Sequence, residues 1–293
     1  MSEGIGYGKV ILFGEHFVVH GTPAIAVGIS SKCVVELEKQ EEMEFVTDAK
    51  GTIPELTNRA IANVTGAMDV KDNFQVFMGG NLPTCGGLGS SAAFSVAMVR
   101  AFANYYGMKL TEEQVNKFAY EGEKAFHGNP SGIDNVIATY GGAIEYTKGK
   151  EFQKLKIGKP FSLVVGITGK TGPTKKMVES VQKFKDSDPG DFQSLQDRSV
   201  DIVRRGKKAL ATGDFEDLGI LMNSNQQLLK EIGVSLDIND ELVKKMLDAG
   251  ALGSKLTGGG GGGCCIALAK DALHAQNILK EIKPFEGFVT EVK

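Results

Sequence analysis

The sequence has no surplus of charge of either sign, no long apolar run and no cysteine spacing that points to a metal. Its 33 Lys+Arg against 36 Asp+Glu leave a net charge of -3, so no strong positive field draws in nucleic acid or anionic lipid. The densest basic cluster, Arg204, Arg205, Lys207 and Lys208, reads as the solvated face of a helix. The longest apolar-leaning stretch, Ala92 to Tyr106, is interrupted by Ser95, Arg100 and Asn104, and it is too short and too polar to span a bilayer. The opening MSEGIGYGKV has an acid and glycines where an export signal has a basic region, so no signal peptide is expected. Cys33, Cys85, Cys264 and Cys265 form no C-x-x-C pair, and reduced thiols in a cytoplasmic protein are the expectation.

What is present is an alternation of strand-like and helix-like segments over 293 residues, which predicts an α/β or α+β protein, one large domain or two. Strands are expected at 9–13, 24–29, 33–37, 74–78 and 161–166, and helices at 52–68, 91–106 and 111–127. Thr111 and Gln114 have the spacing of a capping box, and Gly107 stops the helix before it. Helices follow at 174–184, 189–211, 213–231 and 239–249, then strands at 252–256 and 264–269, a helix at 271–282 and a strand at 287–292. The change from strand-rich to helix-rich organisation places a domain boundary near 150–165.

Four stretches carry the chemistry. In PTCGGLGSSAAFSVAMV, Pro83 to Val99, the glycines Gly86, Gly87 and Gly89 run straight into an alanine-rich helix. Such a turn lets backbone approach a ligand, and the helix N-terminus offers free N–H donors to a phosphate. Ser90 and Ser91 add hydroxyls for phosphate or magnesium; a tight turn with a serine N-cap is the equal alternative. In GKVILFGEHFVVHG, Gly8 to Gly21, a strand delivers Lys9 at its start and Glu15-His16 at its end. Neither Lys9 nor His16 is functional on that ground alone.

In YEGEKAFHGNPSGIDNV, Tyr120 to Val136, Glu123 lies about 80° from the middle of the apolar stripe of its helix and Glu121 about 120° away, so Glu123 leans further inward. Ser131 to Asp134 fits the S-x-x-D capping pattern, so Asp134 either stabilises a helix end or orients a hydroxyl there. The fourth stretch, SKLTGGGGGGCC, contains six consecutive glycines, Gly258 to Gly263, a run that costs backbone entropy unless close approach demands it. A decoy lies at GITGKTGP, Gly166 to Pro173: it lacks the first glycine of a Walker A loop and reads as a loop after a strand, with Thr174 capping the next helix.

Taken in order, KVILFGEHFVVHG, PTCGGLGSSAA and KLTGGGGGGC resemble the three motifs of the GHMP kinases, and the resemblance covers nearly the whole chain. HGNPSGIDN with GEHFVVHG is similar to the members that phosphorylate mevalonate, and the length is similar to the archaeal ones. The resemblance implies an α+β fold of two domains. The first, residues 1–155, would be a ribosomal-protein-S5-domain-2-like α/β domain, and the second, 156–293, ferredoxin-like, with ATP and acceptor meeting in the cleft between. It implies ATP and Mg2+ as cofactors, mevalonate as acceptor, a cytoplasmic homodimer, and no nucleic-acid or membrane partner.

The same resemblance supplies roles. Asp134 takes or orients the hydroxyl proton, and Lys9 stabilises the developing charge. Pro83, Gly86, Gly87, Leu88, Gly89, Ser90, Ser91 and Ala92 wrap the phosphates. Ser91 and Glu123 hold the metal, and Glu15, His16, Thr174, Gly258 and Gly259 face the acceptor. Two positions depart from the family pattern: Gly259 replaces an alanine, and Gly172-Pro173 stands where relatives have a basic residue before the threonine. That leaves Lys170, Lys175 or Lys176 to meet the acceptor carboxylate. The alternatives are another GHMP kinase, acting on phosphomevalonate or homoserine, or a non-catalytic sensor of the same fold.

Overall fold

The computed structural model describes every residue except Met1, Lys50, Gly128, Asn129, Ser131, Thr171 and Pro173, and all side chains but those of Thr174 and Lys175 within the rest. Contacts group the chain into two compact units, one of Met1–Lys9, Gly28–Thr84 and Leu88–Gly141, the other of Val10–Val27, Cys85–Gly87 and Gly142–Lys293. Packing thus interleaves the chain, where the sequence pattern places one cut near 155.

Strand β1 (Ser2–Phe13) and strand β2 (Ala24–Gln40) each run from one unit into the other. In the first unit, β2 pairs antiparallel with β4 (Asn73–Gly80), and β3 (Glu44–Thr47) lies parallel to β4. Helices α1 (Pro54–Ala67), α2 (Ser90–Tyr106), α3 (Glu112–His127) and α4 (Ile133–Tyr140) pack on one another. The core joins sheet to helix: Phe74 of β4 meets Phe102 of α2 edge-on, with centroids 5.5 Å apart. Gly4 and Gly6, two of the three glycines of SEGIGYGKV, are explained by α2. A Cβ on Gly4 would meet the Ala97 carbonyl oxygen at 2.0 Å, and one on Gly6 the Ala93 oxygen at 1.9 Å. Glycine in the strand and alanine in the helix let two backbones touch, which lays the first-unit part of β1 along α2.

In the second unit, β5 (Ala143–Tyr146) pairs with β2 and with β6 (Gln153–Leu155). A separate antiparallel sheet has the order β10-β7-β9-β8, from β7 (Phe161–Ile167), β8 (Gly253–Thr257), β9 (Cys264–Ala269) and β10 (Glu286–Val292). Helices α5 (Thr174–Ser187), α6 (Pro189–Thr212), α7 (Phe215–Glu231) and α8 (Asp237–Asp248) separate β7 from β8, and α9 (Ala272–Glu281) separates β9 from β10. In chain order of the four strands this is 4-1-3-2, the ferredoxin-like arrangement. Among the described residues no helix is long and apolar enough to cross a membrane.

Most elements lie within a few residues of their expected bounds, and the Thr111–Gln114 capping box forms in both directions, at 2.9 and 3.2 Å. Two expected strands are one, because Ser30 to Lys32 continue the in-and-out alternation of β2 and Ser31 is buried. Strands β3, β5 and β6 have four residues or fewer, too few for a period-two pattern to register. The basic cluster on α6 lies in surface ion pairs, including Arg205–Asp217 and Lys207–Glu145.

Gly6→Ala is expected to destabilise the protein by about 1–3 kcal/mol, since neither backbone can yield. Gly66→Ala, on a helix face with nothing within 4 Å, is expected to stabilise it by about 0.5–1 kcal/mol. Urea unfolding midpoints check both; equal midpoints for Gly6→Ala and the parent would refute the close contact.

Candidate active site

Lys9 ends the part of β1 that belongs to the first unit. Its backbone N–H donates to the Leu88 carbonyl at 2.9 Å, and its stem lies over Gly89, where a Cβ would meet Cγ at 2.9 Å. Gly89, at φ 67, is the N-cap of α2, with no side-chain capping bond. The serine-capped turn is therefore not what forms: Ser90 and Ser91 are the first two helical residues, and their hydroxyls are not used on the helix end.

Lys9 is 3% exposed, and its Nζ lies 3.1 Å from Asp134 Oδ1. Burial of an ammonium is tolerated only with such a partner. Asp134 sits in the first turn of α4, whose N-cap is Gly132 at φ 89. The S-x-x-D reading is corrected by that N-cap: the cap is one residue later than the pattern requires, Asp134 pairs with Lys9, and Ser131 lies outside the described residues.

Glu123 is 2% exposed. Gly122 makes this possible: a Cβ there would meet Ser95 Oγ at 2.7 Å and Val64 Cγ2 at 2.9 Å, so α3 lies tightly against α1 and α2. Ser91 Oγ donates to Glu123 Oε1 at 3.0 Å, while Glu123 Oε2 is buried without a hydrogen-bond partner. Burial first, then the Asp134 charge, push the Glu123 carboxyl up to about 8. His127, which sequence reasoning left without a role, approaches the same group, with Nε2 3.3 Å from Glu123 Oε1. Helical i, i+4 spacing was the one signal that could have linked them.

Beside Ser90 the first unit has a cavity of about 310 Å³ lined by Asp48, Ala49, Met78, Leu82 and Thr84, among others. Thr84 and Ser90 of the glycine-rich motif reach it, but its other walls come from β2, β4 and the segment before α1, which no motif marks.

The second unit holds the remaining candidates. After β1 the chain turns through Gly14 (φ 92) and His16 (φ 62), the latter an uncommon conformation for a side-chain-bearing residue. His16 is 6% exposed, and burial drives its imidazole down to about 4, so it is neutral near pH 7. Nε2 lies 3.1 Å from the Gly259 carbonyl; a carbonyl only accepts, so Nε2 carries the proton and Nδ1 the lone pair. Nδ1 is buried without a partner among the described residues.

Glu15, expected to face the acceptor, has both its carboxylate oxygens engaged by the chain itself. Glu15 is 1% exposed, in a fully buried ion pair with Lys255, and its other oxygen accepts from Asn225 Nδ2 at 3.1 Å. Its two oxygens hold the turn that presents His16. Neither Lys255 nor Asn225 could be read from the sequence, since their partners lie more than two hundred residues away.

The run of six glycines is largely required by this chain's own backbone. Five of them have positive φ, all but Gly259. A Cβ on Gly258 would meet Gly87 Cα at 2.5 Å, one on Gly260 the Val234 oxygen at 2.3 Å and one on Gly262 the Lys170 oxygen at 2.4 Å. Asn239 on α8, also missed, clamps the loop: Nδ2 donates to the Gly262 carbonyl at 2.9 Å, and the Gly262 N–H donates to Oδ1 at 3.0 Å. The decoy segment is a loop after β7, as expected, and Thr168 Oγ1 donates to the Gly263 carbonyl at 2.9 Å. Thr174 begins α5, but its side chain, like Thr171 and Pro173, lies outside the described residues.

A lysine buried against a carboxylate at the glycine-rich start of a helix, with a second carboxylate left under-coordinated nearby, suits transfer of an anionic group to a hydroxyl. The chain belongs to the GHMP kinase family: residues 55–142 match the GHMP kinases N terminal domain and residues 207–286 the GHMP kinases C terminal model. Within that class it is similar to mevalonate kinases. It is 36% identical to the mevalonate kinase of Pyrococcus furiosus, over 89% of this chain and 87% of that one. Its structure matches L. major mevalonate kinase in complex with R-mevalonate with a TM-score of 0.94 and 37% identity, covering 100% of this chain and 96% of that one. It matches the Methanococcus jannaschii mevalonate kinase with a TM-score of 0.84 and 26% identity, covering 99% and 98%.

Because folding raises the Glu123 carboxyl from 4.5 to about 8, the folded protein holds a proton there that the unfolded chain releases, and stability falls as pH rises across that window. Glu123→Gln is expected to flatten the fall between about pH 5 and about pH 8 and to stabilise the ligand-free protein at the upper end by on the order of a few kcal/mol. Denaturant titrations at both ends check this; parallel pH slopes for parent and variant would exclude it.

Proposed function

We infer that the protein transfers the γ-phosphoryl group of ATP to the 5-hydroxyl of (R)-mevalonate, giving 5-phosphomevalonate and ADP. The observation that carries this reading is the pairing of buried Lys9 with half-buried Asp134, 3.1 Å apart, beside the α2 N-terminus in a chain of this family. Phosphoryl transfer demands positioning and charge neutralisation more than covalent chemistry. In this reading Asp134 holds the acceptor hydroxyl in line and receives its proton as the O–P bond forms. The Lys9 ammonium offsets the charge that gathers on the oxygens of the transferring group. The turn Gly86 to Ser90 and the first N–H groups of α2 take the phosphates. The cavity beside Ser90, with polar Asp48 and Thr84 and apolar Met78 and Leu82, is of a size and character for the adenine end.

The donors near α2 fit a hard divalent cation such as Mg2+, since Ser91 Oγ and the unpartnered Glu123 Oε2 are both oxygens, one of a carboxylate. Among the described residues no three His, Cys, Asp or Glu side chains converge on a metal position, so these two oxygens would supply only part of the shell. Held there, the cation would offset phosphate charge. In the second unit His16 Nδ1 is an acceptor for a hydroxyl hydrogen of mevalonate, and Gly258 and Gly259 belong to the same proposed contact set. A homodimer is part of the same reading.

A coupled ADP-release assay over mevalonate, phosphomevalonate, homoserine and galactose tests the reaction; turnover of another alcohol with none of mevalonate would overturn it. Lys9→Met and Asp134→Asn are each expected to lower kcat by about 10²-fold or more with ATP binding retained. His16→Phe is expected to raise the KM for mevalonate by about 10-fold while leaving that for ATP unchanged. Ala49→Trp, filling the cavity, should do the reverse.

A further inference from the structure

Of the four cysteines, Cys33 and Cys265 are buried and burial pushes both thiols up to about 12, which leaves them inert. The other two are placed differently. Cys85 Sγ lies 2.9 Å from Cys264 Sγ, across 179 residues of sequence. Disulfide sulfurs are about 2.05 Å apart, so bonding needs a movement of less than about 1 Å shared between two side chains. Cys85 is half-buried and accessible, whereas Cys264 is fully buried. The hydrogen bond with Cys264 lowers the Cys85 thiol below its ordinary value, which favours the reactive thiolate.

The backbone around them is already in contact. Cys85 directly precedes Gly86-Gly87, and Cys264 directly follows the glycine run. A Cβ on Gly263 would meet the Gly86 carbonyl oxygen at 3.0 Å, and one on Gly87 the Thr257 oxygen at 2.5 Å.

We propose that Cys85 and Cys264 are a peroxide-reactive thiol pair whose disulfide ties the Cys85–Gly87 segment to the glycine loop and slows turnover. The Cys85 thiolate attacks one oxygen of hydrogen peroxide; the O–O bond breaks and the leaving oxygen departs as water, with Cys85 now a sulfenic acid. The Cys264 thiol attacks that sulfur, the S–O bond breaks and a second water leaves. One peroxide is reduced to two waters, and two thiols are oxidised to one disulfide. Turnover slows because a segment that must adjust around phosphates is fixed by a covalent bond at its base. That consequence rests on the kinase reading; the cross-link does not.

The test uses the full-length reduced protein and a small excess of hydrogen peroxide. Non-reducing peptide mass mapping is expected to show a Cys85–Cys264 linked peptide and a loss of about 2 Da per chain, with activity down about five-fold or more and restored by dithiothreitol. Cys85→Ser and Cys85→Ala are each expected to form no link and to keep, under peroxide, the activity each had before it. Oxidation of Cys85 to sulfinic acid without the link, a link that leaves turnover unchanged, or equal peroxide sensitivity in the Cys85 variants would each overturn the proposal. Absence of mevalonate turnover before any oxidation would instead count against the kinase reading, and the mass map would still decide the cross-link.

Discussion

The first unit is arranged around one buried cation. An ammonium cannot leave water without a partner, and Lys9 finds its partner in Asp134. The side chain of Lys9 runs across Gly89, and its backbone bonds to Leu88. One residue within β1 therefore ties together Leu88, Gly89 and the start of α4. Glu123 is drawn into the same region, with one oxygen that no described residue satisfies. A carboxylate in that state favours its neutral form, and the proposed cation would return it to the charged one.

The second unit divides its polar groups by task. Lys255, Asn225 and Asn239 have their hydrogen bonds filled by the chain itself, and each holds a loop in place. His16 uses one nitrogen to hold the Gly259 carbonyl and keeps the other bare. Buried polar atoms in native proteins are nearly always paired, and under the proposed function a ligand would pair His16 Nδ1 and Glu123 Oε2, two of the unpartnered atoms among the described residues. Glu15 shows the opposite outcome: a charged residue inside a motif, whose charge is consumed by structure.

The glycines carry a related lesson. A run of six reads as room left for a ligand, yet at Gly258, Gly260 and Gly262 the space belongs to backbone from Gly87, Val234 and Lys170. Local signals elsewhere were legible. The Thr111–Gln114 box lies within one turn, and α2 is a long unbroken pattern. Strands β3, β5 and β6 were not legible, because each has four residues or fewer, and β5 depends besides on pairing with β2, far earlier in the chain.

By itself the sequence determined the helices, the order of the three motifs and, through them, the family, since each depends on residues within a few positions of one another. Only the tertiary structure decided which carboxylate meets Lys9, that Glu15 is spent on Lys255, that Ser91 serves Glu123 and not the helix end, and that two thiols 179 residues apart lie side by side. The physical reason is that hydrogen bonds and ion pairs act over a few ångströms of space, and only folding converts distance along the chain into distance in space.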